Sequence, residues 1–171
     1  MTLRAATPAH WPVEQALSQD NDVAYWTTVP ADLDEGAARA RVAAWIDRRD
    51  EGRGALWVIE REGNACGQAG LVISPPAAIE VFYAVLPSAR GAGVAGRTAA
   101  LIAGWARRAG YRQIGLATFP DNVASERTAE RAGFVRTGTT ERRIKDRAHT
   151  LTTWVYAPAK RPVDGRSSHS G

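Results

Sequence analysis

Residues Arg90 to Gly96, Arg-Gly-Ala-Gly-Val-Ala-Gly, have the types and spacing of an anion cradle. Glycine lets a ligand approach the backbone closely. A helical pattern starts at about Arg97. The free N–H groups of a helix start converge on one point, and the helix dipole adds partial positive charge there. Arg90 could add a full charge and a planar donor fork for a phosphate. The other reading of these residues is a glycine-rich connection with a solvated arginine. The loop also holds a literal Gly-x-Gly-x-x-Gly at Gly91, Gly93 and Gly96. A dinucleotide fingerprint wants its glycines directly after the strand and an acidic residue about twenty positions on. Here Pro87-Ser88-Ala89-Arg90 intervene, and Asp121 comes too late.

The elements that must hold this loop are readable on both sides of it. Ile79 to Leu86 is apolar, β-branched and aromatic and predicts a strand, which Pro87 and Ser88 end. Beyond the loop, Thr98, Leu101, Ile102 and Trp105 share one helix face, and Gly110 stops that helix. Residues 111–118 predict the next strand. Asp121 or Asn122 then caps a helix that stops at Gly133, and strands over 134–142 and 149–157 follow.

Upstream, Leu3 to Ala6 predicts a short strand, and Pro8 suits the first turn of a helix running to about Gln19. Residues 20–33 read as irregular. Asp32 and Glu35 resemble a capping pair for a helix with Ala38, Val42, Trp45 and Ile46 on one stripe and Gly52 as its stop. Residues 55–61 and 65–73 predict two strands joined by a Gly63-Asn64 hairpin turn, with Pro75-Pro76 separating the second from the strand before the loop. Residues 158–171 carry almost no apolar content and predict a flexible tail. This order predicts one α/β (α+β) domain over 1–157, a mixed sheet with helices packed on it.

Composition narrows the function classes. No apolar run approaches the length of a membrane span, and the N-terminus lacks the apolar region of a signal peptide. Cys66 is the only cysteine, which excludes an internal disulfide, and it sits in an expected strand. His10, His149 and His169 lack the spacing of metal ligands. A cytoplasmic, metal-free protein is the expectation. The net charge is +4, with much of the excess late, at Arg136, Arg142, Arg143, Lys145, Arg147, Lys160, Arg161 and Arg166. These cations share no helix face and no interleaved aromatic motif. A solvated surface, or attraction for a polyanionic small ligand, fits better than nucleic acid.

Arg90-x-x-Gly93-x-Ala95 after a strand, then Asn122-x-x-Ser125, then Gly133-Phe134, resembles the GNAT superfamily of N-acetyltransferases. Within it the chain is most similar to the ribosomal-protein Nα-acetyltransferase (RimJ/RimL) branch, from about Leu3 to Tyr156. Trp26-Thr27-Thr28-Val29-Pro30, followed by a helix carrying Trp45-Ile46, resembles that branch too. The resemblance implies a mostly antiparallel sheet of about six or seven strands with helices on both faces. It implies acetyl-CoA as donor, no metal, and transfer of the acetyl group to a primary amine by direct attack in a ternary complex. The partners implied are a peptide N-terminus or a small amine, with no membrane, no nucleic acid, and a monomer or homodimer.

The resemblance also assigns roles. The pyrophosphate would lie on the N–H groups of Arg90, Gly91, Ala92, Gly93, Val94, Ala95 and Gly96. The preceding strand would bulge and splay from its neighbour, so that the pantetheine arm pairs with its open edge. The Val85 N–H would meet the thioester carbonyl in an oxyanion-hole role. Asn122 and Ser125 would lie beside the donor, with the Ser125 hydroxyl near the departing sulfur. Without a ligand, Asn122 is a helix cap and Ser125 a polar first-turn residue. Ala129 stands where many members carry a tyrosine acid.

Glu80 occupies the branch's Glu-x-Gly-Tyr-Trp position, here Glu80-Val81-Phe82-Tyr83-Ala84. It would take the amine's proton, directly or through one water, or else orient the acceptor or pair with an arginine. Alternation puts Glu80, Phe82 and Ala84 on one strand face, where the changed sizes reshape the acceptor pocket. Neutralising an α-amino group at pH 7 costs roughly 1.4 kcal/mol and a lysine about 4.6, which favours an N-terminus or a weakly basic amine. A catalytically silent CoA-binding sensor is the second reading.

Overall fold

The computed structural model describes residues 1–74 and 78–157. The Pro75-Pro76 break and the expected tail over 158–171 lie outside the described residues. Strand β1 (Thr2–Ala5) leads through a 3-10 turn at Pro8–His10 into α1 (Trp11–Ser18), α2 (Asn21–Trp26) and α3 (Glu35–Asp50). Strands β2 (Gly54–Arg61), β3 (Asn64–Ser74) and β4 (Ala78–Val85) follow. A 3-10 turn at Pro87–Ala89 then precedes α4 (Val94–Arg108), β5 (Gln113–Thr118), α5 (Val123–Arg131), β6 (Phe134–Ile144) and β7 (Arg147–Tyr156).

The strands form one seven-stranded sheet in the order β1-β2-β3-β4-β5-β7-β6. Only β4 and β5 run parallel, joined by the α4 crossover; every other neighbouring pair is antiparallel. Alternation along β4 divides its side chains between two cores. Ile79 and Val81 pack with Ile102, Ala103 and Ala106 of α4 and Ala129 of α5. Ala84 faces the other way, onto Val13 and Leu17 of α1 and Val23 of α2. Helices thus cover both faces because both faces of the central strands are apolar.

Several boundaries differ from the sequence-based expectation. Residues 20–33 contain α2, capped by the Asp20 side chain accepting from the Val23 N–H at 2.8 Å. A helix of six residues is too short to show a hydrophobic period. The cap of α3 is Asp34, which accepts from the Ala37 N–H at 2.7 Å, while Asp32 sits at φ 53° outside the helix. The β2–β3 turn is Glu62-Gly63, both at positive φ, because Arg61 pairs with Asn64. Helix α4 begins at Val94 rather than near Arg97. Gly93 at φ 69° ends the loop, so Val94, Ala95 and Gly96 form the first helical turn. Finally, β4 does not bulge: its register with β3 runs unbroken from Gly67–Val85 to Ser74–Ala78.

Candidate active site

The splay expected beside β4 is present without a bulge. Strand β4 pairs with β5 only from Ala78 to Val81. Strand β5 continues along β7 as far as Thr118, and the two parallel edges part. Leu86 N–H donates to the Cys66 carbonyl of β3 at 2.9 Å. Neighbouring strand residues point their N–H groups to opposite sides. The Val85 N–H therefore points away from β3, into the gap that β5 has left. A cavity of about 620 Å³ fills this gap and reaches from the glycine loop to the side chains of α3 and β6.

At one end of the cavity, Gly91 and Gly93 hold positive φ values of 75° and 69°. Such left-handed positions turn successive N–H groups toward one side and suit glycine. A Cβ at Gly91 would meet no heavy atom within 4 Å, and one at Gly93 would meet only the Arg97 guanidinium. The space over the loop is thus open. The N–H groups of Val94, Ala95 and Gly96 open α4 and have no intrahelical acceptor.

Arg90 departs from the expectation. Its N–H donates to the Pro87 carbonyl at 3.1 Å. Its guanidinium binds the carboxylates of Asp20 and Asp22, the latter at 3.0 Å. The two carboxylates lie at the start of α2, so Arg90 braces the glycine loop against α2 rather than offering a spare donor fork. Burial raises the Asp20 pKa, but the Val23 N–H and Arg90 outweigh it and hold the carboxyl below its ordinary value. Two further cations of the cavity, Arg127 and Arg131, stand four residues apart on α5 and share one side of it.

In the middle of the gap, α5 brings Ser125 to β4. Asn122 caps α5 by accepting from the Ser125 N–H at 3.0 Å, so its bland role is real. This cap fixes the first turn that carries the Ser125 hydroxyl. Tyr83 lies on the opposite face of β4 from Glu80, and its phenol oxygen is 3.0 Å from Ser125 Oγ and 3.2 Å from the Ser125 carbonyl. Burial pushes the Tyr83 pKa up to about 12, against the hydrogen bonds of Ser125 and Thr128. The phenol stays protonated at neutral pH and can donate to Ser125. Sequence alternation alone could have placed Tyr83 on the strand face opposite Glu80, and the tertiary structure puts α5 there.

The far end of the cavity is aromatic and charged. Glu80 is half-buried and bound bidentately by Arg142 of β6, with one contact at 2.5 Å. That pairing joins residues 62 apart in the chain, and no spacing in the sequence signals it. Phe82 fits because the residue paired with it is a glycine: a Cβ at Gly70 would lie 2.4 Å from the Phe82 ring. The ring then tilts against Trp45 of α3, centroids 5.0 Å apart. Trp26, Arg41 and Phe119 complete this end. Glu80 projects from one face of β4 and Ser125 of α5 meets the other through Tyr83, and the gap beside β4 is what exposes both to one cavity. Among the described residues no helix is long and apolar enough to cross a membrane, and no three His, Cys, Asp or Glu side chains converge as metal ligands.

Residues 1–135 match the family described as Acetyltransferase (GNAT) domain. A comparison with curated proteins finds no match. Among solved structures, the chain is similar to the Salmonella typhimurium acetyltransferase that modifies the N-terminal serine of a 50S ribosomal subunit protein. That likeness has a TM-score of 0.78 at 21% identity, over 90% of this chain and 92% of the other. It is similar to the microcin C7 self-immunity acetyltransferase MccE in complex with acetyl-CoA and AMP, with a TM-score of 0.81 at 13% identity over 91% of each chain. It is also similar to a spermidine N-acetyltransferase SpeG chimera from Vibrio cholerae and hSSAT, with a TM-score of 0.72 at 17% identity over 91% and 94%. At such identities these neighbours establish a shared fold. Taken with the family match over most of its length, they place the chain in the GNAT acetyltransferase family, as an enzyme whose acyl donor is acetyl-CoA.

Proposed function

We propose that this enzyme, as one domain over residues 1–157, acetylates a primary amine in the manner of the RimJ/RimL branch. The acceptor is a peptide N-terminus or a small, weakly basic amine, and it attacks the donor directly in a ternary complex. The observation that carries this reading is the Tyr83–Ser125 hydrogen bond in the middle of the β4–β5 gap. It supplies a proton donor on the serine-bearing pattern, where Ala129 leaves no room for a tyrosine-based acid.

The donor's pyrophosphate rests on the N–H groups of Gly91 to Gly96, and its pantetheine pairs with the open edge of β4. Each helix-terminus contact contributes on the order of 0.3–1 kcal/mol when exposed, and up to about 2 when partly buried, so the cradle works by summing several. The amine nitrogen attacks the thioester carbonyl. Charge then develops on the carbonyl oxygen, against the Val85 N–H. As the carbon–sulfur bond breaks, Ser125, backed by Tyr83, donates a proton to the thiolate. The amine's proton passes to Glu80, directly or through a water. Arg142 occupies two of the carboxylate's four lone-pair sites, which leaves two for this task.

The test is release of free thiol from acetyl-CoA across a panel of peptides and small amines, with acetyl-CoA binding followed by calorimetry. Acetylation of an α-amino acceptor ahead of a lysine side chain is the expected result. Tight binding of acetyl-CoA with no acceptor used would instead establish a silent CoA-binding module.

A further inference from the structure

The acceptor end of the cavity gathers positive charge that the transfer steps do not use. Arg41 of α3 is fixed from behind: its Nε donates to Glu14 Oε1 at 2.6 Å, and Glu14 is 1% exposed. Among the described residues the terminal guanidinium nitrogens of Arg41 have no protein acceptor, and Arg41 lines the cavity beside Trp45. Ile144 at the end of β6 lines the same cavity, and the β6–β7 turn that follows it carries Lys145 and Asp146, both at positive φ, 50° and 63°. Left-handed backbone is disfavoured for residues other than glycine, so this turn is held in place by the contacts it makes. The turn sends the Lys145 ammonium back to the Ala24 carbonyl of α2. Among the described residues Lys145 has no carboxylate partner, and burial together with the charge of Arg41 holds its pKa below the ordinary lysine value. Arg142 is already matched by Glu80. Arg41 and Lys145 thus repel each other, and an anion bound at the rim between α3 and the β6–β7 turn relieves that repulsion.

We propose that Arg41 and Lys145 form an anion subsite, and that the amine acetylated here carries a carboxylate or phosphate that docks on it. The inference rests on the amine-acetylation reading above and narrows its substrate class. The apolar walls from Trp26, Trp45 and Phe82 suit the chain that links amine to anion. Glu14 is a positioning residue in this account, since it acts through its ion pair with Arg41.

The experiment compares kcat/KM for matched acceptors with the full chain at saturating acetyl-CoA. One series is amidated serine dipeptides with Asp, phosphoserine, Asn or Lys second; the other is β-alanine, its amide and propane diamine. Anionic acceptors are expected to exceed the neutral ones by about tenfold, the effect of one charge-assisted hydrogen bond, with the cationic ones lowest. The Asp and phosphoserine arms distinguish a carboxylate source from a phosphate source. Lys145→Gln keeps a donor for Ala24 but removes the charge, so the preference should fall severalfold; Lys145→Glu should invert it. Acetyl-CoA KM should stay unchanged in both. Arg41→Gln is made together with Glu14→Gln, so that no buried carboxylate is left alone, and should also erase the preference.

Acetylation without charge preference in the wild type, or full preference in Lys145→Gln, overturns the subsite and leaves amine acetylation standing. In the second case Lys145 only straps the hairpin to α2. Absence of turnover with every acceptor while acetyl-CoA binds overturns the functional reading, and the subsite with it.

Discussion

The Tyr83 hydroxyl lies 3.0 Å from Ser125 Oγ, tying the splayed end of β4 to the first turn of α5. A strand residue and a helix residue 42 positions apart thus share one proton-bearing contact inside the gap proposed to hold the thioester.

Ser125→Ala should lower kcat and kcat/KM together by about ten- to a hundredfold, with acetyl-CoA affinity almost unchanged. An interaction made mainly with the developing thiolate shows itself in turnover rather than in ground-state binding. Tyr83→Phe should give a smaller loss, since Ser125 remains. Steady-state kinetics and calorimetry on both variants separate the cases. Unchanged turnover in Ser125→Ala would return the serine to a purely local role.

Tyr83 also makes an alkaline stability prediction. Its pKa is 10 in the unfolded chain and about 12 when folded. Between these values only the unfolded state loses the proton. The contribution of Tyr83 is therefore complete below pH 10 and declines as pH rises toward 12. The loss amounts to about 3 kcal/mol over the whole window. Urea unfolding of wild type and Tyr83→Phe at several alkaline pH values should show a shallower decline in the variant. Parallel declines would mean that the phenol is as well solvated as in the unfolded chain.

Glu80→Gln should remove or shift the acidic limb of the kcat/KM profile and lower the plateau. Arg142→Gln frees Glu80 and should change the limb while leaving a carboxylate in place. Should Glu80→Gln keep both limb and rate, the amine arrives already neutral and Glu80 serves to hold Arg142.

Gly93→Val should weaken acetyl-CoA binding by tenfold or more, because a β-branched residue resists φ 69° and its side chain enters the open space over the cradle. Arg90→Ala should weaken binding less, through a loosened brace to Asp20 and Asp22, and calorimetric Kd values report the order. A larger effect from Arg90→Ala would put the guanidinium on the ligand instead.

Gly70→Ala should destabilise the protein by about 1–3 kcal/mol. Its Cβ would lie 2.4 Å from the Ala55 carbonyl oxygen and 2.4 Å from the Phe82 ring. The double change Gly70→Ala with Phe82→Gly relieves the second contact and not the first. It should recover only part of the stability in urea titrations, and full recovery would mean that β2 yields freely.

The sequence by itself determined the parts whose cause is local. Alternation placed Glu80, Phe82 and Ala84 on one face of a strand, and the run of glycines marked a backbone that must turn and stay open. Residue type near a helix start narrowed the α5 cap to Asp121 or Asn122, and the structure gives it to Asn122. The order of these segments, with Ser125 and without a tyrosine at Ala129, was enough to point to the family. Local chemistry also has a limit, visible at α2, where six residues carry too little period to read, and at Val94, where the αL turn of Gly93 rather than the last glycine sets the helix start. Only the tertiary structure decided which charges meet. Arg90 reaches Asp20 and Asp22 about α2, Arg142 reaches Glu80 from β6, and Arg41 is held by Glu14 of α1. Each pair joins elements that only the packing of the fold brings together, and Coulomb attraction depends on distance in space, to which position along the chain gives no measure. The gap itself is of the same kind. It exists because β5 leaves β4 to follow β7, a choice made by pairing residues 34 (Thr118 with Thr152) to 40 (Gly115 with Val155) positions apart and absent from the composition of either strand.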